Sequence, residues 1–136
     1  LLFRGGELMP FRIKTPPDQM VGGGDVSLTL HWNPSMGANW AARFNRAQTM
    51  LDQEVLRRTD PYVPLDSGLL KDSALLASSI GEGLLVYSTP YAAAQYYNTA
   101  TTRTYDPQRG GKWFERMKAD NADALVACVR RAMSAQ

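Results

Sequence analysis

Two side chains of the kinds that most often act in catalysis or metal binding occur once each in this sequence. His31 is the single histidine and Cys128 the single cysteine among 136 residues. A catalytic triad needs a base beside its nucleophile, and a structural zinc site needs about four such ligands. We therefore expect no catalytic residue and no zinc site. His31 is predicted to be exposed on the polar side of a strand, and Cys128 to be a small buried side chain in a helix.

Two other patterns have the residue types of a binding site but a simpler explanation. Asp120 and Asp123 are spaced to meet on one helical face, where paired carboxylates can hold Mg²⁺. Acidic residues also stabilise the first turn of a helix, and we interpret Asp120 as the N-cap of the final helix. The glycine run at 22–24 precedes a strand, whereas phosphate-binding loops follow a strand and open a helix. It is interpreted as a flexible hinge, and no cofactor or metal is expected.

The loop at 101–112 combines basic and aromatic side chains. Arg103, Arg109 and Lys112 are interleaved with Tyr105 and precede Trp113, a pattern that can contact phosphate groups of DNA. The alternative, a solvated loop or a protein contact, stays open because so few charges are involved. A net charge of +2 is too small for a dedicated nucleic-acid binder.

Length and composition predict one soluble domain. Hydrophobic residues make up 44% and charged residues 21% of the chain, as in ordinary globular proteins. The longest apolar run, 74–80, is much shorter than the roughly 20 residues that span a bilayer, so no membrane contact is expected. Prolines and glycines indicate a flexible N-terminal arm at 1–24, followed by a single domain at 25–136. We hypothesise that residues 1–8, before Met9, are an upstream translation extension.

The N-terminal half of the domain is predicted to hold a strand and a long helix. Apolar and polar residues alternate over 26–32, which indicates a half-buried strand. Asn33 and Pro34 have the residue types of an N-cap and a first helical position, and Asp60-Pro61 ends the helix. One apolar stripe runs along it, at the following residues: Trp40, Phe44, Ala47, Leu51 and Val55.

The C-terminal half is predicted to hold a hairpin and three further helices. Asp66 caps a short helix, with Leu65 against Leu70 as a hydrophobic staple. The runs 74–80 and 84–89 flank a glycine turn and favour an antiparallel hairpin. Short helices follow at 91–97 and around 113–117, and a final helix begins at Asp120. The expected fold class is α+β, with a small antiparallel sheet, built from 26–32 and the 73–89 hairpin, packed against the long N-terminal helix and the C-terminal helix.

The order of four motifs resembles a known family. Residues 63–70 read Val-Pro-Leu-Asp-Ser-Gly-Leu-Leu, and Ser73 follows. Thr-Pro-Tyr-Ala at 89–92, Gln-Tyr-Tyr at 95–97 and Lys-Trp-Phe-Glu-Arg-Met at 112–117 come later in the chain. This series is similar to the minor capsid proteins of phages that infect Gram-positive bacteria, and to the wider neck and tail-completion family of long-tailed phages. The family's structural motif falls on the following residues: Pro64, Asp66, Gly68, Leu69 and Ser73.

The resemblance implies a non-enzymatic virion protein at the junction of head and tail, assembled in the host cytoplasm. It implies a subunit of a ring on the portal axis, whose partners are other copies and neighbouring connector, portal or tail proteins. We expect subunit contacts from the N-terminal arm and from Tyr91, Tyr96, Tyr97 and Trp113. Core packing is the alternative for each aromatic residue, and it is as strong an expectation for Tyr91 and Trp113. The basic loop can instead face the channel and meet passing DNA. The alternative functions are a small phage or mobile-element DNA-binding module that uses the basic loop 103–112 and, as a remote third, a metal-dependent enzyme.

Overall fold

Two long helices lying side by side form the frame of the protein. The computed structural model describes residues 12–98 and 106–135. Within them a hairpin of β1 (Gln19–Gly23) and β2 (Val26–Leu30) precedes α1 (Met36–Thr59), which continues into a 3-10 turn at Asp60–Tyr62. The helices α2 (Leu69–Ala77), α3 (Ala92–Tyr97) and α4 (Trp113–Ser134) follow. The predicted α+β class is confirmed, with a two-stranded antiparallel sheet, a long N-terminal helix and a C-terminal helix.

Helices α1 and α4 are antiparallel. Near the C-terminal end of α1, Arg58 Nη1 donates to Asn121 Oδ1 at 2.7 Å. Nearer the start of α1, Arg46 Nη1 donates to the carbonyl of Ala135 at 2.8 Å, just past the end of α4. An arginine at this position also suits the negative end of the α4 dipole. The first turns of α1 therefore extend beyond the end of α4.

This overhang explains why the predicted apolar stripe of α1 is buried along only part of its length. Ala47 and Val55 are buried, whereas Trp40 is 44% and Phe44 38% exposed. Trp40 and Phe44 precede Arg46, whose side chain bonds to Ala135 just past the end of α4. The periodicity correctly predicted one apolar face, but the length of the partner helix determines how much of that face is covered.

The hydrophobic core lies where the C-terminal half of α1, the 60–70 segment, α3 and the start of α4 meet. Trp113 is 2% exposed and Met117 and Val63 are fully buried. The Trp113 ring packs edge to face against Tyr96, with centroids 4.7 Å apart. Tyr87 lies 5.3 Å from the same ring on another side.

The predicted composition of the sheet is wrong, although β2 was predicted correctly as a strand. The partner of β2 is β1, which contains two glycines of the predicted hinge, with Val21 opposite Leu28. The predicted hairpin at 73–89 does not form, because 69–77 is helix α2 and the later run contributes a single bridge from Ser79 to Leu84. The apolar residues of α2 fit a helical face, with Leu70, Ser73 and Ala74 buried.

Three predicted helix boundaries are also corrected. α1 begins after Ser35, and the Asn33 side chain accepts a hydrogen bond from the Ser35 amide at 2.9 Å instead of capping the helix. The N-cap of α2 is Gly68 in the left-handed region, with φ 86°, instead of Asp66. α4 is continuous from Trp113, so Asp120 lies within a helix and does not begin one.

Candidate interaction surface

The tyrosines predicted to contact other subunits lie on and beside the short helix α3. Tyr97 is 61% and Tyr91 42% exposed, so both rings are available to a partner. Tyr96 is half-buried, and its hydroxyl donates to the Glu115 carboxylate. Trp113 is buried in the core. The structure therefore supports the core alternative for Trp113 and leaves Tyr91 and Tyr97 as the exposed members of the set.

Lys112 holds this aromatic group together. It is the one residue other than glycine with a positive φ among the described residues, at 52°, and its amide donates to the Tyr96 carbonyl at 2.8 Å. Its ammonium lies 4.3 Å from the centroid of the Tyr97 ring and 5.0 Å from that of Tyr96. A cation over two aromatic faces restrains both rings. Lys112 is thus engaged with tyrosines, which is a different role from the predicted contact with DNA.

Arg109, which was predicted to lie on a DNA-facing loop, makes structural contacts. Its side chain is 16% exposed and lies 3.4 Å from the Asp106 carboxylate. Its guanidinium donates to the carbonyls of Asp60 at 2.9 Å and Val63 at 2.7 Å. These bonds attach the loop before α4 to the end of α1. Arg103 and Tyr105 lie outside the described residues.

The motif at 63–73 contains both buried residues and exposed residues. Val63 and Pro64 are buried, and Ser73 Oγ donates to the Leu70 carbonyl and accepts from the Ser88 amide at 3.2 Å. By contrast Asp66 is exposed, and Leu69 is 62% exposed. An open cavity of about 430 Å³ is lined by residues 64–70 together with Tyr91 and Gln95. Leu69 and Tyr91 therefore border one concave surface.

Sequence reasoning missed an exposed apolar feature, the hairpin itself. Every residue of β1 and β2 is exposed, although alternation had predicted a half-buried strand. Residues opposite each other in the ladder share a face, so one face of the hairpin is apolar. We call it the hairpin face; its members are Val21, Val26, Leu28 and Leu30. The alternating pattern found the face, but it could not show that the domain leaves it uncovered.

Several ionisable side chains have pKa values shifted by contacts within the fold. Hydrogen bonds from His31 and from the Trp32 amide to the carboxylate lower the pKa of Asp18. Hydrogen bonds from Arg57 and Arg58 lower the pKa of Glu54 to about 2. Burial raises the pKa of Tyr87, with the Asp60 charge adding to the effect. Within residues 12–98 and 106–135, no three His, Cys, Asp or Glu side chains are grouped so that they could hold a metal ion.

Comparison with known proteins identifies the family. A family model described as minor capsid protein matches residues 35–133, which is most of the chain. The chain belongs to this family of phage minor capsid proteins. Comparison with curated proteins and with solved structures finds no match.

Membership in the minor capsid family confirms the resemblance read from the motifs and indicates a structural role in the virion. The match runs from the residue before α1 to the last turn of α4 and so includes the tyrosines and the 63–73 motif. The hairpin precedes the matched residues. Among the described parts of this minor capsid protein, each helix is too short or too polar to cross a bilayer.

Proposed function

We propose that this minor capsid protein is a component of the head-to-tail connector, where copies form a ring on the portal axis that joins head and tail. Its partners are other copies and the adjoining connector, portal or tail proteins. Family membership supports the structural role. The observation that carries the finer proposal is the exposure of apolar and aromatic side chains on separate elements, the hairpin and α3 with the residue before it.

A ring requires two different patches on each subunit, because each copy binds its neighbour through a heterologous contact. The protein has such separate patches in the surface around Tyr91 and Tyr97 and in the hairpin face. Large exposed apolar patches are uncommon on soluble monomers and mark protein contacts. Tyrosines are also enriched in such contacts.

The DNA-binding alternative receives less support. Arg109 donates to backbone carbonyls and Lys112 lies over two tyrosine rings, so neither side chain is free to follow a phosphate backbone. A passing contact between packaged DNA and the loop remains part of the proposal. Such a contact would be secondary to the joining of head and tail.

Deletion of the gene from the phage that encodes the protein tests the proposal. We expect electron micrographs to show heads and tails that are formed but not joined. Supply of the wild-type chain in trans should restore joined particles, and antibody labelling should place the chain at the junction. Joined, infectious particles from the deletion, or a label distributed over the head shell, would contradict a connector role.

A further inference from the structure

Lys112 has a backbone conformation that its residue type does not favour. Its φ of 52° and ψ of 36° lie in the left-handed region, where the other positive φ angles of residues 12–98 and 106–135 belong to glycines. A side chain with a Cβ is destabilised in this region, whereas glycine adopts it freely. The backbone at this position would therefore be more stable with glycine than with lysine.

The charge of Lys112 is also placed unfavourably for the helix that it precedes. Lys112 is the N-cap residue of α4, and its side chain makes no capping hydrogen bond. The N-terminus of a helix carries a partial positive charge, which disfavours a cation there. The Glu115 carboxylate lies 3.9 Å from the ammonium, but the two side chains are 51% and 39% exposed, and such a pair contributes little stability. Backbone and charge thus both disfavour lysine.

The path of the chain, and not the lysine side chain, requires the left-handed turn. The segment before α4 crosses so close to the end of α3 that a Cβ at Gly111 would overlap the Asn98 carbonyl oxygen. The Lys112 amide donates to the Tyr96 carbonyl at 2.8 Å, and its carbonyl accepts from the Arg116 amide at 3.1 Å. These hydrogen bonds belong to the backbone, so they would persist with glycine at this position. What lysine adds is its ammonium group.

The ammonium adds most to one exposed ring. Tyr96 is held without it, because its hydroxyl donates to Glu115 and its ring packs against the buried Trp113. Tyr97 is the last residue of the six-residue helix α3, and helix ends fray. Its exposed ring packs edge to face on Tyr96, with centroids 5.3 Å apart, and the Lys112 ammonium lies 4.3 Å from its centroid. The lysine therefore restrains the tyrosine that faces solvent.

This restraint does not explain lysine by a gain in stability. The penalty of a Cβ in the left-handed region is larger than the gain from an exposed cation over an aromatic ring. A ring that is fixed before binding does avoid the cost of being immobilised when a partner arrives. Residues that break local rules of stability are typical of functional sites, where stability and function oppose each other. The exposed contact of Lys112 is with Tyr97, so the function to consider is that of this ring.

We propose that Lys112 is a positioning residue, which fixes the Tyr97 ring in the orientation that a neighbouring virion subunit binds. This inference rests on the proposed function, because it concerns the tyrosine surface through which subunits meet. Lysine at this position lowers the stability of the isolated chain and strengthens its assembly. Lys112→Gly therefore makes the chain more stable and makes it assemble less well.

Three substitutions separate the role of the backbone from that of the cation. Lys112→Gly relieves the backbone and removes the cation, Lys112→Met keeps the Cβ and removes the cation, and Lys112→Arg keeps both. Lys118→Met is the matched control, since its ammonium lies 5.9 Å from the Phe114 ring on α4. In urea denaturation we expect a higher midpoint for Lys112→Gly than for the wild type. An equal or lower midpoint would overturn the proposal, because lysine would then have no cost in stability.

Nuclear magnetic resonance of isotope-labelled tyrosine measures the positioning itself, with Tyr97→Phe to assign the signal. The Tyr97 ring should gain picosecond-to-nanosecond motion in Lys112→Gly and Lys112→Met. It should keep its order in Lys112→Arg, whose guanidinium can also lie over an aromatic face, and in Lys118→Met. A merely structural loss of packing would not be rescued by arginine in this way. Unchanged order of the ring in Lys112→Met would contradict the positioning role.

Complementation of a phage that lacks the gene tests the effect on assembly. Lys112→Gly and Lys112→Met should each give about three- to tenfold fewer joined particles than the wild type, which is the factor expected when one side chain must be immobilised on binding. Lys112→Arg and Lys118→Met should match the wild type. A more stable Lys112→Gly chain that assembles less well cannot owe its defect to misfolding.

The same assay distinguishes failure of this inference from failure of the connector role. Equal rescue by Lys112→Met and the wild type, where the deletion leaves heads and tails apart, would refute the positioning role and leave the connector role standing. A deletion phage that still joins heads to tails would refute the connector role. The amount of chain incorporated into particles would then decide, since equal incorporation of Lys112→Met and the wild type refutes the positioning role and reduced incorporation supports it.

Discussion

The carboxylate of Asp52, on α1, accepts a hydrogen bond from the backbone amide of Gly81 at 2.8 Å. The same oxygen accepts from the Gly83 amide at 3.0 Å, and Gln48 Nε2 donates to the other oxygen at 2.7 Å. Asp52 is 3% exposed. One buried side chain thus holds the turn after α2 against the middle of α1, where a buried carboxylate needs such partners.

Removal of this carboxylate should loosen the turn. Asp52→Ala leaves two amides without their acceptor, and we expect a decrease in the free energy of unfolding of about 2 kcal/mol. Asp52→Asn keeps one acceptor oxygen and should cost less. Urea denaturation of the three proteins measures the difference, and equal stability of Asp52→Ala and the wild type would contradict this role.

Gly68 is required for its backbone conformation. Its φ of 86° lies in the left-handed region, and an added Cβ would come no nearer than 3.7 Å to Asp72 Oδ2. Since space is available, the cost of Gly68→Ala should come from the backbone alone, at about 1 kcal/mol. Gly23→Ala, where an added Cβ meets nothing within 4 Å, is the control and should be near neutral in thermal or urea unfolding.

Glu54 should make stability depend on pH in the acid range. Hydrogen bonds from Arg57 and Arg58 lower its pKa from 4.5 to about 2 in the folded protein. A lowered folded-state pKa stabilises the protein above pH 4.5, and that contribution is lost as the pH falls toward 2. In Glu54→Gln this part of the pH dependence should be absent. Urea midpoints between these pH values measure it, and identical slopes in both proteins would refute the assignment.

Substitution of Tyr97 should impair assembly, whereas substitution of Trp113 should impair folding. Tyr97→Ala removes a ring that is 61% exposed, so the chain should stay folded while joined particles fall by about tenfold or more if the ring contributes to a contact. Trp113→Ala removes a core side chain and should cost about 3–5 kcal/mol. Circular dichroism and particle titre together distinguish the two. A normal titre with Tyr97→Ala would remove this tyrosine from the proposed interface.

Arg109 should matter for stability and not for nucleic-acid affinity. Arg109→Gln loses the donors to the carbonyls of Asp60 and Val63, and we expect a lower free energy of unfolding by about 2 kcal/mol. Combined neutralisation of Arg103, Arg109 and Lys112 should leave any binding to double-stranded DNA unchanged in a fluorescence assay. Strong DNA binding by the wild type that this variant loses would instead support the DNA-binding alternative.

Elements whose apolar residues recur at one clear spacing could be predicted from the sequence. The strand at β2 alternates apolar and polar residues, and α1 has a stripe that repeats at helical spacing. The run at 74–80 was assigned wrongly because short apolar segments fit a buried strand and a buried helix equally well. The continuity of α4 was missed because Asp120 has the residue type of an N-cap, whereas in the structure it accepts a hydrogen bond from the Tyr62 hydroxyl.

Side-chain roles that depend on distant partners could not be predicted in this way. The carbonyls that bind Arg109 are 49 and 46 residues away along the chain. The motif at 63–73 and the tyrosines were found from their order in the chain, which requires no knowledge of contacts. Whether a residue such as Trp113 or Tyr97 faces the core or solvent depends on packing that local patterns do not contain.

The overhang of α1 beyond α4 has a mechanical consequence. Because Thr15, before the hairpin, is bonded to Gly37 in the first turn of a 24-residue helix, the part of a pull on the hairpin that lies along α1 would enter this helix at its N-terminal end. Such a pull would load the rows of side chains between α1 and α4 in shear, all at once, instead of peeling them apart one turn at a time. A subunit of this shape would resist tension along α1 better than tension across it.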